Sequence, residues 1–403
     1  MKIKEYLDGL EDGKTLLGIC PMTEEIVQAA IVEAKGSSFI PTFIATPRQV
    51  DADRGYTGWS QKTLNEFISS TAHRLGYQGD YFIARDHGGP YQSFRDRGKE
   101  SVSTTRAMEY ARELFYEDVE AGFDVIHVDA TEDPGVDGQL PLENIASRTA
   151  QLISSIEERI SKKDLSWVQY EVGTEEIIGG MTKPVSFKKF IKILKEKLSD
   201  PKVFRKILFV VGQVGTTMSI DMQNNFDPDQ ARKLVQITDD NDAFLKVHYT
   251  DWLDNSILAD FPEIGIGAAN VGPEFAAALI EGLVSLEEKE KRALKRHGAE
   301  ARLSEFFETF KTVAVKEAPW EKFAPDSLDG EELKRFARKN RENIAYCVGR
   351  YVLNKPQVRQ ARETLNENVR EFSIVEDAEM FLVERVRATI HRYVEAFNLD
   401  NPV

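Results

Sequence analysis

The chain has 403 residues, 41% of them hydrophobic, and a formal net charge of −15. That length is ample for one large core, or for a domain of roughly 250–300 residues plus an appendage, while the acidic balance disfavours nucleic acid, whose phosphates want basic patches. No apolar run reaches the roughly 18 residues of a membrane span; the charged start MKIKEYLDGLEDGK lacks the apolar core of a signal peptide; and two cysteines, Cys20 and Cys347, argue against a disulfide or cysteine–zinc framework and for a reducing cytoplasm.

Short β-branched or apolar runs recur along the chain: TLLGIC (15–20), FIPTFIAT (39–46), YFIARD (81–86), VIHVD (125–129), WVQYEV (167–172), KILFVV (206–211), FLKVHY (244–249) and IGIGAAN (264–270). The stretches between them carry helical periodicity. SQKTLNEFISSTAHRLG places apolar or small residues at 64, 67, 68, 72 and 75, with Ser60 as N-cap and Gly76 as stop, and STTRAMEYARELFYEDVEAG ends at Gly122 in the same way. Strand–helix alternation repeated eight times predicts a (β/α)8 barrel. Only about 15 residues separate the seventh and eighth strands, so the helix between them is expected to be short. Beyond residue 285 no strand pattern continues. We expect a catalytic barrel over 1–290 and a helical extension over 291–403, with EELKRFARKNRENIAYCVGRYVL and EDAEMFLVERVRATIHRYVEAF as its longest helices.

In such barrels chemistry gathers at the C-terminal ends of the strands. The residues there are Cys20; Thr46, Arg48 and Gln49; Asp86 and His87; Asp129; Glu171, then Glu175 and Glu176; Gln213; His248, Thr250 and Asp251; and Asn270. Histidines on strands three and seven with carboxylates on three, four and five suit a divalent ion such as Zn, Mn, Ni or Co. Asp86 and His87 also have a plainer reading as a loop cap and a satisfied loop histidine. His127 alternates with Asp129 one layer deeper and reads as a hydrogen-bonded core histidine. Lys246 shares its side of the strand with His248. It reads as the ion-pair partner of Glu171 or Asp129, with Schiff-base chemistry as the alternative. Gly215 in GQVGT and Gly272 in NVGPE mark turns whose N–H groups could cradle a phosphate, or that are simply tight. RGYTGW (54–59) reads as a loop over the mouth, with Tyr56 and Trp59 facing a sugar. Arg85, Arg95 and Arg97 are candidates for a substrate anion against the commoner solvated role. His73, His297 and His391 lie on helices and are given no role.

Taken together GIC (18–20), IATPRQV with GYTG, DHGGP, IHVDAT, VGTE, VVGQVG, HYTD and GPEF, in this order and spacing, resemble the Z subunit of tagatose-bisphosphate aldolase and, more distantly, the class II aldolases. The resemblance covers the barrel and implies a metal-dependent 4-epimerase of a ketose or ketose phosphate working by retro-aldol chemistry. Its alternative is a class II aldolase component, catalytic or accessory to a separate aldolase subunit. It implies Asp86 as proton-transferring acid, His87, Glu171 and His248 as metal ligands, Asp129 and Glu175 as proton or orienting groups, and Asn270 as a substrate contact. Gln213 stands where the aldolases keep a third histidine ligand. Gln49, Tyr56, Gln213, Gly215, Asp251 and Gly272 complete the expected substrate-binding set. A homo-oligomer is expected. Arg85 stands where the Z subunit has glycine, and Tyr91 and Glu274 also depart, so substrate identity is not carried over.

Overall fold

The computed structural model describes residues 3, 6–7, 13–37, 39–99, 101–174 and 180–400. Eight parallel strands close into a barrel in sequence order: β1 (Leu16–Ile19), β2 (Thr42–Ala45), β3 (Phe82–Gly88), β4 (Val125–Val128), β5 (Gln169–Gly173), β6 (Ile207–Val211), β7 (Phe244–Val247) and β8 (Ala268–Val271). The helices between them are α1 (Glu24–Gly36), α2 (Gln61–Leu75), α3 (Thr104–Glu120), α4 (Leu142–Lys163), α5 (Pro184–Leu198), α6 (Pro201–Phe204), α7 (Pro228–Asp239) and α8 (Asn255–Ile264). The barrel expected from the alternation is thus the fold, and α8, at 10 residues, is short as its spacing required.

Local signals act as read. Ser60 Oγ accepts from the Thr63 N–H while Thr63 Oγ1 accepts from the Ser60 N–H, and Gly76 at φ +69° ends α2 in the left-handed conformation. Ser103 caps α3, and Gly122 at φ +83° follows its end.

Inside the barrel, side-chain size decides what the upper layer can hold. A Cβ on Gly18 would stand 2.5 Å from Asn270 Oδ1 and 3.2 Å from Ile44, so glycine there is what lets Asn270 occupy the bore.

The decisive irregularity lies at the end of β3. Arg85 pairs with Ile126 and Gly88 with Val128, so β3 carries one residue more than β4 between those points. This is a β-bulge, and His87 within it has φ +47°. Strict alternation would send Asp86 and His87 to opposite faces. The bulge turns both toward the barrel mouth. Gly89 permits it, because a Cβ there would meet the Asp129 carbonyl oxygen at 1.7 Å.

The chain continues through α9 (Pro273–His297), α10 (Phe306–Glu317), α11 (Gly330–Lys339), α12 (Arg341–Val348), α13 (Pro356–Glu371) and α14 (Ala378–Ala396), with short 3-10 turns at 320–323 and 349–351. The long helix expected over 331–353 is therefore interrupted. It breaks at Asn340, and Gly349 is pressed so closely on Phe310 that a Cβ would stand 2.5 Å from the ring. α14 packs on α1, α8 and α9. The Thr15 N–H donates to the Phe397 carbonyl at 3.3 Å, and Asn398 Nδ2 donates to the Gly13 carbonyl at 2.8 Å. Among the described residues no helix is long and apolar enough to cross a membrane.

Candidate functional site

Five strands deliver the polar cluster. Asp86 Oδ1 accepts from Asn270 Nδ2 at 3.2 Å and lies 3.7 Å from both His127 Nδ1 and His248 Nε2. His248 Nε2 meets Glu171 Oε1 at 3.0 Å, and Lys246 Nζ meets Glu171 Oε2 at 2.5 Å, the ion pair anticipated for that lysine. His87 Nδ1 meets Asp129 Oδ2 at 3.0 Å, and the same oxygen accepts from Gln92 Nε2 at 2.8 Å. His127 was read from sequence as a core histidine. Here its Nδ1 accepts the His87 backbone N–H at 3.1 Å and lies 3.3 Å from Glu171 Oε1. Asp86, His127, Glu171 and His248 are all buried, and ligand atoms from the four lie within 4.8 Å of one another, so together they could hold a metal ion.

A second convergence lies one step outward. His87 Nε2 and His248 Nδ1 are 3.1 Å apart. Each ring has a carboxylate against its other nitrogen, which places its proton on that outer side. The two inner nitrogens then present lone pairs to each other, an arrangement that a cation or a shared proton relieves. Two nitrogens on one ion at roughly 2.1 Å would stand roughly 3.0–3.4 Å apart. Gln213 lines the same cavity as His87; its Oε1 is buried with no hydrogen-bond partner among the described residues, and so is Asn270 Oδ1. Orphaned buried oxygens of this kind are costly unless something binds them.

The electrostatics keep the acids charged. Burial pushes the Asp86 carboxyl up, but His87, His248, His127 and Lys246 together hold it well below the usual carboxylate range. Glu171 is likewise lowered to about 2, where Lys246 leads the charges that outweigh its burial. Asp129 is also lowered to about 2, with His87 the leading influence against burial. Asp86 is therefore an anion at neutral pH, placed among imidazoles.

Of the other expected contacts, several turn elsewhere. Gln49 Oε1 accepts from the Thr46 N–H at 2.8 Å and holds its own loop. Asp251 Oδ1 accepts from the Gly272 N–H at 3.0 Å and the Glu274 N–H at 2.8 Å, so the amides proposed to cradle a phosphate already serve a carboxylate. Tyr56 packs edge-on against Tyr351 at 5.0 Å, and Trp59 stacks on Phe67 of α2. Gly215 takes φ +91° in the β6 loop. Glu175 lies outside the described residues. Arg85 turns outward, where Nε donates to Asp118 Oδ2 at 2.8 Å, Nη2 to Oδ1, and Nη1 to the Ala45 and Val50 carbonyls. Arg85 is fully buried, so it meets no substrate. Arg95 pairs with Glu113 and Asp51.

The cavity above the cluster, about 780 Å³, has one wall the sequence did not suggest: Lys322, Phe323, Arg350 and Tyr351 from the C-terminal helices stand opposite Arg48, His87, Arg97 and Asp129. Their only sequence signal is an arginine–tyrosine pair after a glycine that breaks helical periodicity.

The family model for D-tagatose-1,6-bisphosphate aldolase subunits of the GatZ/KbaZ-like kind matches residues 9–396. A D-tagatose 6-phosphate 4-epimerase of Agrobacterium fabrum is 27% identical over 290 residues, 68% of this chain and 66% of that protein, just under two thirds of its length. The GatZ subunit of D-tagatose-1,6-bisphosphate aldolase from Escherichia coli K12 is 24% identical over 69% of each chain. Among solved structures, a protein described as a probable tagatose 6-phosphate kinase of Sinorhizobium meliloti superposes with a TM-score of 0.76 at 21% identity, over 95% of this chain and all of that one, which is a likeness of fold.

Proposed function

Because the chain belongs to the GatZ/KbaZ-like family of D-tagatose-1,6-bisphosphate aldolase subunits, we propose that it is a metal-dependent enzyme that inverts C4 of a ketose or ketose phosphate by breaking and remaking the C3–C4 bond. One observation carries the reading: the inner nitrogens of His87 and His248 face each other at 3.1 Å, each ring braced from behind by a carboxylate. His87, His248 and the orphaned Gln213 Oε1 would hold the ion, and Glu171 would brace His248, which is the carboxylate–histidine support typical of such ligands. When bound, the ion would supply Lewis acidity to a carbonyl and its neighbouring hydroxyl oxygens; its identity is open between Zn and Mn, Ni or Co.

The rest falls to the chain's own groups. Asp86, an anion in the bore, takes the C4 hydroxyl proton. The C3–C4 electron pair moves toward C2, leaving an aldehyde and an enediolate. Asn270, fixed beside Asp86 and held in place by the space at Gly18, donates to the developing oxyanion. Asp129 keeps His87 oriented. The aldehyde turns, C3 attacks its other face, and Asp86 returns the proton to the new C4 oxygen.

The test is incubation of the full chain with D-tagatose 6-phosphate, D-fructose 6-phosphate and the free ketoses, each with added Zn or Mn, read by NMR. Interconversion at C4 that stops on chelation and returns with metal is expected. Full activity retained in both Asp86→Asn and His248→Ala would sink the reading. The likeness to a named aldolase subunit supports a second reading, in which the aldehyde escapes or the chain serves a separate aldolase. Release of free triose would favour the first form. Absence of any conversion, with a class II aldolase gaining activity when the chain is added, would favour the second.

A further inference from the structure

Resting on that reading of the barrel mouth, we infer that the wall supplied by the C-terminal helices is a phosphate-monoester site, in which Arg48, Lys322 and Arg350, with the Tyr351 hydroxyl, hold the phosphate of the sugar whose other end reaches the histidines. The cavity's charge runs against that of the molecule. Five cations line it, Arg48, Arg97, Lys183, Lys322 and Arg350, against the three carboxylates of Asp129, Glu132 and Asp133, in a chain of net charge −15. The carboxylates are already engaged. Asp129 is held by His87 and Gln92, Glu132 by Arg97 at 2.7 Å, and Asp133 by Arg148 at 2.6 Å. Arg48, Lys322 and Arg350 have no carboxylate within ion-pair distance among the described residues.

Arg350 is the anchor. It is buried, yet among the described residues its guanidinium is hydrogen-bonded only by the Cys347 carbonyl, the Met218 sulfur at 3.8 Å and the Tyr351 hydroxyl at 3.3 Å. A guanidinium has five N–H donors, and a buried cation without a carboxylate is costly, so the position is one that an incoming anion completes. It also lies 4.4 Å over the Tyr351 ring, with Arg48 on that ring at 5.8 Å. Burial pushes the Tyr351 hydroxyl up, but Arg350, Arg48 and Arg97 bring it below its usual value, and Lys322 is lowered by burial and by Arg97 and Arg48. Both shifts express one local excess of positive charge. The wall is held at a fixed place over the mouth: Cys347 Sγ donates to the Ser219 carbonyl at 3.3 Å, the Ile220 N–H to the Phe323 carbonyl at 3.0 Å, and Asn354 Nδ2 to the Tyr56 carbonyl at 3.0 Å. It therefore ties the β6 loop to the β2 loop. Three cations from separate segments suit the three oxygens and double charge of a phosphate better than a planar carboxylate, which one arginine would satisfy.

The experiment is calorimetric titration of the full chain, in EDTA so that no bound ion competes for the anion, with inorganic phosphate and with glucuronate. We expect phosphate to bind in the millimolar range, and Arg350→Met and Lys322→Met each to weaken it by at least about ten-fold. Lys322 is exposed, so its replacement leaves the fold intact even if the buried arginine's does not. Absence of phosphate binding, unchanged binding in a folded Lys322→Met, or preference for glucuronate would each overturn the site. If phosphate binds as expected but no ketose is turned over, the site stands and the proposed reaction fails. If ketose phosphates are epimerised while the substitutions leave phosphate binding untouched, the reaction stands and the site fails.

Discussion

Arg85 and Asp86 are neighbours on one strand, and they end up on opposite sides of the barrel wall. Outward, Arg85 meets Asp118 of α3 through two nitrogens and spends its remaining contacts on the Ala45 and Val50 carbonyls. Both side chains are completely buried, and burial raises the Asp118 carboxyl despite the arginine. That pair is closed, with nothing left to offer a ligand. Inward, Asp86 sits among three imidazoles and Lys246, is held anionic, and accepts from Asn270, whose own Oδ1 has no partner among the described residues. Burial and charge are alike on the two sides. Completeness of hydrogen bonding separates structure from chemistry.

The contrast can be broken from either side. Asp86→Asn should lower kcat by about 10²–10⁴-fold, the usual weight of a general base, with the melting temperature nearly unchanged. Asp118→Ala leaves a buried guanidinium unpaired and should cost about 3–5 kcal/mol of stability in urea unfolding, while Arg85→Met with Asp118→Leu should recover most of it; the double substitution should leave kcat near that of the parent chain. Asp124, at the opposite end of β4 from Asp129, sharpens the comparison through pH. Burial raises its carboxyl from 3.8 to about 6, although it accepts from the Ile83 N–H. The folded chain then holds that proton more tightly than the unfolded one. Its contribution is present below about pH 4 and is lost as pH rises through about 6, a fall of about 3 kcal/mol. Chemical denaturation from pH 4 to 7 should show that fall, and Asp124→Asn should flatten it. The smallest effect belongs to Asp129→Asn, which loosens the brace on His87 and should weaken metal retention by about 10–100-fold in a competition titration with a chromogenic chelator.

What could be read in advance follows from the range of the interactions involved. The strands, the cap at Ser60 and the stops at Gly76 and Gly122 are written in neighbouring residues, so periodicity and turn chemistry located them. Strand alternation is enough to face Lys246 into the barrel toward Glu171 or Asp129, and the structure selects Glu171. Alternation failed at Asp86–His87. Listing both on one rim tacitly required a bulge, and nothing short of the β3–β4 register reveals it. At His127 alternation gave the inward, hydrogen-bonded position but not its partner, the backbone N–H that the same bulge aims at its ring. Arg85, a candidate from sequence for a substrate anion or a solvated role, has neither, because its partner Asp118 is 33 residues away on α3. The phosphate cradle expected at Gly272 was occupied by Asp251, a competition between two loops that neither loop's sequence records. The wall bearing Arg350 was missed for the same reason.

The hydrogen bond between Thr15 and Phe397 sets an order of events as well as a contact. Pairing residues this far apart in sequence demands a large loop closure, and such closures come late. On a ribosome the barrel's strands are all available before α14 emerges, yet the first strand's lower end waits for α14. A nascent chain stalled beyond β8 would hold the histidines without their opposite wall. The mouth of the barrel is then completed after its strands, and truncation ahead of the turn at 320–323 should forfeit the mouth before it forfeits the barrel.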